Sequence, residues 1–384
     1  MVSRRLIILL VLVLTGCKTL QLERPVRVQS TDWWTTGGSE SHNSAVDADV
    51  APPLTLAWEY NALAAFGPGS PLVLGNAVLV ANLQGEVHAI NLETGKRIGQ
   101  VSFREAINAT PALVDERIIV ANALGNRTLQ AYDLERASTA WTRRGATVEA
   151  GLLAYGDAVL VADALGKVSL VNERNGEDIW TFEDPDQTNV RATPLMAGDL
   201  FVVIHQEGTA RAFEPATGEV VWEADMGGPV YASPAAAGAI VYVPTTRGVM
   251  LAVNARTGRI EWRFDTNSER IRLASPSIKD GVIYFGASDG FVRAISTNFG
   301  EPRWRAQMSA AINAQVLVAG HYIYVGTMHN KLVALDYETG GEVWSTELRG
   351  RIKSAMAVAG GGIVVLTEPR YVYMFMPEVR NVTQ

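Results

Sequence analysis

The sequence contains a single cysteine, Cys17, among 384 residues. A chain with one cysteine cannot form an internal disulfide, so no disulfide framework holds this fold together. Histidine is scarce as well, and glycine-rich phosphate loops are absent. The five histidines show no metal-ligand spacing; they are His42, His88, His205, His321 and His329. We therefore predict no metal, no cofactor and no catalytic residues.

Basic residues are outnumbered by acidic ones. If Arg4 and Arg5 are removed with an N-terminal signal, 31 of the 33 basic side chains remain against 40 acidic ones, a formal charge of about −9. This sign argues against nucleic acid as a partner. After the N-terminal apolar run, no second run has the length needed to cross a membrane. Charged residues make up only 19% and glycine is frequent, which favours an all-β chain with many tight turns.

The N-terminus has the layout of an export signal. Arg4 and Arg5 precede an apolar stretch that ends in Leu14-Thr15-Gly16-Cys17, which predicts a signal peptide over 1–16 and acylation of Cys17. The alternative is an ordinary cleaved signal with an incidental cysteine. Lys18 directly follows the cysteine, and a residue other than aspartate at this position predicts that the lipoprotein is sorted to the periplasmic face of the outer membrane. Residues 17–53 are then a lipidated N-terminal tether and arm.

A repeat of about 41 residues follows. A tryptophan lies four residues after a turn glycine in five successive units, Gly176 to Trp180, Gly218 to Trp222, Gly258 to Trp262, Gly300 to Trp304 and Gly340 to Trp344. The same period extends back to Trp141, where Ala137 replaces the glycine, to Gly99, where the tryptophan is missing, and to Trp58. The repeat therefore has eight units.

Short apolar runs recur with the same period, as expected for strands buried on both faces. They cover residues 77–81, 117–121, 158–162, 201–204, 240–243, 282–285, 322–325 and 363–366. Four short strands per unit predict an eight-bladed β-propeller of antiparallel blades over 54–376, followed by a tail over 377–384. The last unit ends after its third strand, so an N-terminal strand over 54–60 is expected to supply the fourth and to close the ring.

The tryptophans hold one fixed place in each unit. This regularity favours packing between blades over stacking on a cofactor. The residues concerned are Trp58, Trp141, Trp180, Trp222, Trp262, Trp304 and Trp344.

Three motifs together resemble the quinoprotein-type propeller repeat. They are Pro-x-x-x-x-Gly before each apolar run, Gly-x-(Val/Leu)-x-Ala before an Asp or Asn, and Thr-Gly-x-x-x-Trp. With eight blades and a lipidation motif, the chain resembles the BamB-type family of outer-membrane assembly factors. The resemblance implies a non-catalytic periplasmic lipoprotein that binds a BamA-like β-barrel assembly subunit and unfolded barrel substrates.

The resemblance also implies where the partner binds. In this family a loop with leucines and an arginine, and two aspartates in the next blade, carry the partner surface. Val190 and Arg191, on the longest inter-blade loop, resemble the first element. The second element, the pair of aspartates, is matched poorly, since Asp225 is the only acidic residue nearby. Arg270 and Arg272, on another long loop, complete the predicted partner-binding set.

An enzyme of the quinone-dependent dehydrogenase class, or another small-ligand-binding propeller, is the competing interpretation. Such enzymes resemble one another in a vicinal disulfide, a tryptophan stacked on the quinone and a clustered calcium site. The single cysteine excludes the disulfide.

Overall fold

The computed structural model describes residues 19–23, 26–29, 31–123 and 127–378. The predicted signal peptide, Cys17 and residues 379–384 of the predicted tail lie outside these ranges. The described chain consists of strands and one short 3-10 turn, Thr36–Gly38. Within these residues no helical segment has the length and hydropathy to span a bilayer.

The strands form eight sheets arranged as a ring, which confirms the predicted eight-bladed propeller. Strands β1 (Ala45–Val46) and β2 (Leu54–Asn61) precede the first blade. Blades 1 to 4 each run from an inner to an outer strand. Blade 1 consists of β3 (Leu72–Leu74), β4 (Ala77–Ala81), β5 (Glu86–Asn91) and β6 (Arg97–Ser102), and blade 2 of β7 (Ala112–Val114), β8 (Arg117–Ala121), β9 (Leu129–Asp133) and β10 (Ser138–Arg143). Blade 3 consists of β11 (Leu153–Tyr155), β12 (Ala158–Ala162), β13 (Val168–Asn172) and β14 (Asp178–Phe182), and blade 4 of β15 (Leu195–Ala197), β16 (Leu200–Ile204), β17 (Thr209–Phe213) and β18 (Val220–Asp225).

Blades 5 to 8 repeat this order. Blade 5 consists of β19 (Ala235–Ala237), β20 (Ile240–Pro244), β21 (Val249–Asn254) and β22 (Ile260–Asp265), and blade 6 of β23 (Ser277–Lys279), β24 (Val282–Gly286), β25 (Phe291–Ser296) and β26 (Pro302–Gln307). Blade 7 contains β27 (Leu317–Ala319), β28 (Tyr322–Gly326), β29 (Lys331–Asp336) and β30 (Glu342–Glu347), and blade 8 contains β31 (Ala357–Ala359), β32 (Gly362–Thr367) and β33 (Tyr371–Pro377). Blade 8 takes β2 as its outer strand, as predicted, with Leu54 opposite Pro377 and Asn61 opposite Tyr371.

Burial explains why the strands form where they do. The middle strands of each blade are covered by neighbouring blades on both faces, so their continuous apolar runs are buried, as in Val249–Asn254. The outer strands alternate instead, and in Ile260–Asp265 only every second side chain turns inward. The inner strands lie close to one another around the axis, where small residues such as Ala235–Ala237 fit.

The blades are joined by a repeated contact between tryptophan and glycine. In six joints an outer-strand tryptophan packs on the turn glycine of the next blade, where an added Cβ would lie no more than 2.7 Å from the indole. The indole N–H donates to the carbonyl three residues before that glycine, at 2.6–3.2 Å. These pairs are Trp58–Gly95, Trp141–Gly176, Trp180–Gly218, Trp222–Gly258, Trp262–Gly300 and Trp304–Gly340. Trp344 instead packs against Phe375 of blade 8.

The arm that precedes β2 adds contacts that the repeat does not predict. Trp33 exchanges backbone hydrogen bonds with Val73 of blade 1. Farther along, the arm bonds to the inner strands of blades 4 to 7 through Glu40, Ser41, Asn43 and the parallel pairing of β1 with β27. The segment therefore crosses from blade 1 to blade 7 before it enters blade 8.

We expect Gly258→Ala to destabilise the ring. The residue has φ +71, and its new Cβ would meet the Trp222 ring at 2.6 Å. Backbone strain of roughly 1–3 kcal/mol and overpacking of similar size should add. Gly238→Ala is the matched control, because its φ is also positive (+59) but nothing lies within 4 Å of the added atom. Urea unfolding should show the larger loss for Gly258→Ala; equal losses would mean that the indole does not require glycine.

Candidate functional site: the central funnel and its loops

The loops that lead from each outer strand to the next inner strand surround a funnel at the centre of the ring. The funnel has a volume of about 530 Å³. Serine and threonine side chains near the inner strands line its depth, together with Thr36 of the arm. Charged and aromatic side chains also contribute to its wall, and they are Glu149, Arg191, Tyr231, Arg272 and Lys353.

Arg191 is held in a defined position at this funnel. It lies on the loop between β14 and β15, and its Nε is 2.8 Å from Glu149 Oε2 on the neighbouring loop. The guanidinium lies 5.4 Å from the centroid of the Tyr231 ring, within the range of a cation–π contact. The Arg191 side chain nevertheless remains 45% exposed. An oriented arginine beside a partly exposed tyrosine is thus available to a partner.

The side chain of Val190 does not lie at the funnel beside Arg191. The prediction that its side chain is presented beside Arg191 is wrong, because Val190 is fully buried in the core with Phe201 and Val203. Successive residues in an extended segment point to opposite sides, so Val190 turns inward where Arg191 turns outward. The chemistry that the sequence did not reveal here is the pairing of Arg191 with Tyr231, which depends on contact between two blades.

The remaining predicted partner-binding residues are dispersed. Arg272 lines the same funnel as Arg191, and its amide donates to Ser288 Oγ at 2.9 Å. Arg270 is exposed but is not among the lining residues. Asp225 ends β18 and accepts a hydrogen bond from the Gly227 amide, so it caps a turn away from the funnel. The structure therefore brings together two of the five.

A buried polar network fixes the loop that carries Arg191. Asp184 on the loop lies 3.1 Å from the Arg211 guanidinium of β17 and 3.3 Å from His205. Arg211 also pairs with Glu223 and lies over the Phe182 ring. The network ties the first half of the loop to blade 4.

The network also sets the protonation of His205. Arginine has no acceptor, so Arg211 Nη1 donates to His205 Nε2, which must be unprotonated, over 2.9 Å. The proton then lies on Nδ1, which donates to the Thr188 carbonyl. Burial lowers the pKa of His205 below its ordinary value and outweighs the favourable Thr188 and Asp184 contacts. Burial alone would raise the pKa of Asp184, but the Thr188 amide, His205 and Arg211 keep it below its usual range.

Four other cations of these loops have nearby acidic partners. Arg143 pairs with Asp178, Arg349 with Glu59, and both Arg351 and Lys353 with Glu368. The charges of these four side chains are therefore neutralised locally.

The funnel does not fit the quinone and calcium that the dehydrogenase interpretation implies. Glu149 is the one carboxylate among the described lining residues, and Arg191 engages it. The seven repeat tryptophans are not among those residues either. Nowhere in the described ranges do three histidine, cysteine, aspartate or glutamate side chains gather as a metal site.

Comparison with known proteins places the ring in a family. A family model described as "Outer membrane protein assembly factor BamB" matches residues 42–210, 164–311 and 288–377. The chain belongs to the BamB family. These matches together extend over nearly the whole ring and include the loop with Arg191.

Individual BamB proteins are distant relatives. The chain is 25% identical to BamB of Shewanella oneidensis over 223 residues, which is 53% of this chain and 54% of that protein. It is 26% identical to BamB of Burkholderia pseudomallei over 141 residues, 37% of this chain and 36% of that protein. The alignments thus span about half or less of these relatives.

Solved structures show the same fold. BamB from Moraxella catarrhalis matches with a TM-score of 0.71 and 17% identity, over 84% of this chain and 99% of that one. The quinohemoprotein alcohol dehydrogenase of Comamonas testosteroni matches with a TM-score of 0.75 and 15% identity, over 91% and 81%. Because BamB and a dehydrogenase share the ring, the fold alone does not determine the function.

Acid is expected to weaken the network around His205. The pKa of His205 is lowered in the folded protein, so the unfolded chain binds the proton more readily. The folded protein therefore loses stability as the pH falls below the pKa of an unfolded-state histidine, near 6.5. His205→Gln keeps an acceptor for Arg211 without this titration. Its thermal midpoint should therefore fall less than that of wild type between pH 7 and 5.

His329→Gln, at an exposed position, is the control and should keep the wild-type pH profile. The assignment would fail if the His205→Gln profile were as steep as that of wild type.

Proposed function

We propose that the protein is a non-catalytic periplasmic scaffold, anchored to the outer membrane by a lipid at Cys17, that assists assembly of β-barrel proteins. The observation that carries this proposal is the match to the BamB family across residues 42–377, on a chain that is described almost wholly as propeller blades. The funnel chemistry supports a binding role, because Arg191 is held by Glu149 against the exposed ring of Tyr231.

The partner surface in this proposal is the funnel mouth around Arg191 and Tyr231. Arginine and tyrosine are among the residue types that most often dominate binding energy when a partner covers them. Tyr231 is 42% exposed, and Arg191 is held against it. A rigid pair of this kind loses little conformational freedom when it binds. The proposed partner is a BamA-like assembly subunit.

Incoming barrel chains would meet the rim. Apart from β6, whose edge bonds to the arm at Leu20, the outer strands of the described ring each leave one edge without a partner strand, and such edges can pair with an extended chain. Apolar side chains are exposed along them, including Ile179, Val221, Ile260 and Val343. We infer that the rim provides transient contacts for unfolded substrates while the funnel mouth holds the assembly subunit.

The partner surface can be tested with Arg191→Ala combined with Tyr231→Ala. Truncation of a binding anchor costs on the order of 1–3 kcal/mol, a loss of roughly tenfold to a hundredfold in affinity. Both side chains are partly exposed, so the thermal midpoint should change little. Co-purification with the barrel-assembly subunit from solubilised envelopes, followed by titration, measures the effect.

Arg270→Ala is the matched control, an exposed loop arginine outside the funnel. It should bind like wild type. If the double variant is folded and also binds like wild type, the funnel mouth is not the docking surface.

The anchor can be tested with Cys17→Ser. Serine cannot form the thioether to the lipid, so the variant should remain unprocessed and lack the acyl mass at residue 17. Stable anchoring needs more than one acyl chain, as in a mature bacterial lipoprotein. Mass spectrometry of the wild-type N-terminus and membrane fractionation of both forms measure this, and an unmodified Cys17 in the wild type would disprove the anchor.

A further inference from the structure

One joint of the ring lacks its tryptophan. Gly99 of β6 lies opposite Ala89, the register position that Trp141 occupies opposite Ala131 and Trp222 opposite Ala212. The facing turn of blade 2 is altered too, since Ala137 stands where the other joints have glycine. With the indole absent, a Cβ at the turn has no ring to clash with. Blades 1 and 2 are thus separated by a notch.

The N-terminal arm fills this notch. The Leu20 side chain is fully buried in the core that contains Tyr132 and Leu134. The Leu20 amide donates to the Gln100 carbonyl at 3.0 Å, and the Tyr132 hydroxyl donates to the Leu20 carbonyl at 2.8 Å. The fit requires glycine on β6, because a Cβ at Gly99 would lie 2.6 Å from the Thr19 carbonyl oxygen.

The arm also makes the hydrogen bond that the indole makes elsewhere. In the six tryptophan joints the acceptor is the carbonyl three residues before the turn glycine. The equivalent carbonyl of blade 2 belongs to Leu134, three residues before Ala137. It accepts a hydrogen bond from the Leu22 amide at 2.9 Å. Leu20 therefore replaces the apolar part of a tryptophan, and Leu22 replaces its N–H.

A second set of bonds secures the segment. The Gln21 side chain donates to the Glu135 carbonyl, and the Val26 amide donates to the Glu135 carboxylate, both at 2.9 Å. These contacts continue the same path along the turn of blade 2. The arm is thus fastened at successive residues and does not meet the ring at one point only.

We infer that this notch is a built docking site for the segment next to the lipid, and that it holds the rim of blades 1 and 2 against the membrane surface. Cys17 precedes Thr19 by two residues, so their Cα atoms cannot be more than about 7.6 Å apart. A free chain over 17–53 would instead let the ring move roughly 30 Å from its anchor. The inference rests on the proposed acylation of Cys17 for its membrane part and on the observed contacts for its docking part.

The docking part is tested by rebuilding the missing joint with Gly99→Trp and Ala137→Gly. The new indole should pack on the new glycine, donate to the Leu134 carbonyl and expel the arm, while the ring stays folded. Hydrogen exchange of the Leu20 and Leu22 amides should accelerate at least tenfold, with the blade amides unchanged. Ala137→Gly alone is the control and should keep the arm protected. Unprotected amides in the wild type, or protection that survives the double change, would overturn the docking.

The membrane part is tested with the full lipidated chain in phospholipid vesicles that contain a nitroxide-labelled lipid. Acylation would occupy Cys17, so Lys96→Cys near the notch and Arg259→Cys at the equivalent turn of the opposite blade each provide one thiol for a fluorophore. Quenching should be several-fold stronger at residue 96 than at residue 259. In the Gly99→Trp, Ala137→Gly background the two values should become alike.

Equal quenching in the native chain, or a difference that survives release of the arm, would overturn the orientation. Mass spectrometry on the same sample reports acylation. If Cys17 carries no lipid, the anchor of the proposed function is wrong and the orientation is overturned with it, whereas the exchange experiment still decides whether the arm occupies the notch.

Discussion

The ring depends on the packing of a tryptophan from one blade against the turn glycine of the next. A blade cannot bury its middle strands alone, because both faces of those strands need a neighbour. The indole provides a large apolar surface, and its N–H satisfies a turn carbonyl that the neighbouring blade would otherwise cover. Glycine provides both the positive φ and the space. Since each joint uses residues from two blades, its effect is to define their relative position as well as to bury area.

Ring closure follows from the same constraint. A series of joints leaves an unsatisfied face at each end unless the last blade meets the first. Here β2 completes blade 8 and carries Trp58, which packs on Gly95 of blade 1. One strand therefore serves as the outer edge of the last blade and as the tryptophan donor to the first. The arm before it then passes along the inner strands, so closure also positions the N-terminal segment.

The sequence predicts the features that repeat and fails for those that occur once. The apolar runs recur eight times and the Gly-to-Trp spacing five times, so a deviation in one unit can be recognised from the others. The number of blades, the fourth strand of blade 8 and the missing tryptophan at Gly99 could therefore be predicted. The burial of Val190 also has a repeated signal, because an apolar residue stands at the same place in five other loops and all of them are buried, at Ile107, Val148, Val230, Ile312 and Ile352. The pairing of Arg191 with Tyr231 and the path of the arm join residues distant in sequence, and no local pattern reports them.

The two exceptional residues at the joint between blades 1 and 2 explain each other. Taken separately, Gly99 and Ala137 look like unrelated losses in a degenerate unit. The structure shows that they face one another across one joint, and that Leu20 and Leu22 supply the packing and the hydrogen bond that the pair lacks. A tryptophan at position 99 would compete with the arm for the same space and the same Leu134 carbonyl. Loss of the indole is therefore the condition for docking the arm, and the irregular joint connects the architecture of the ring to its N-terminus.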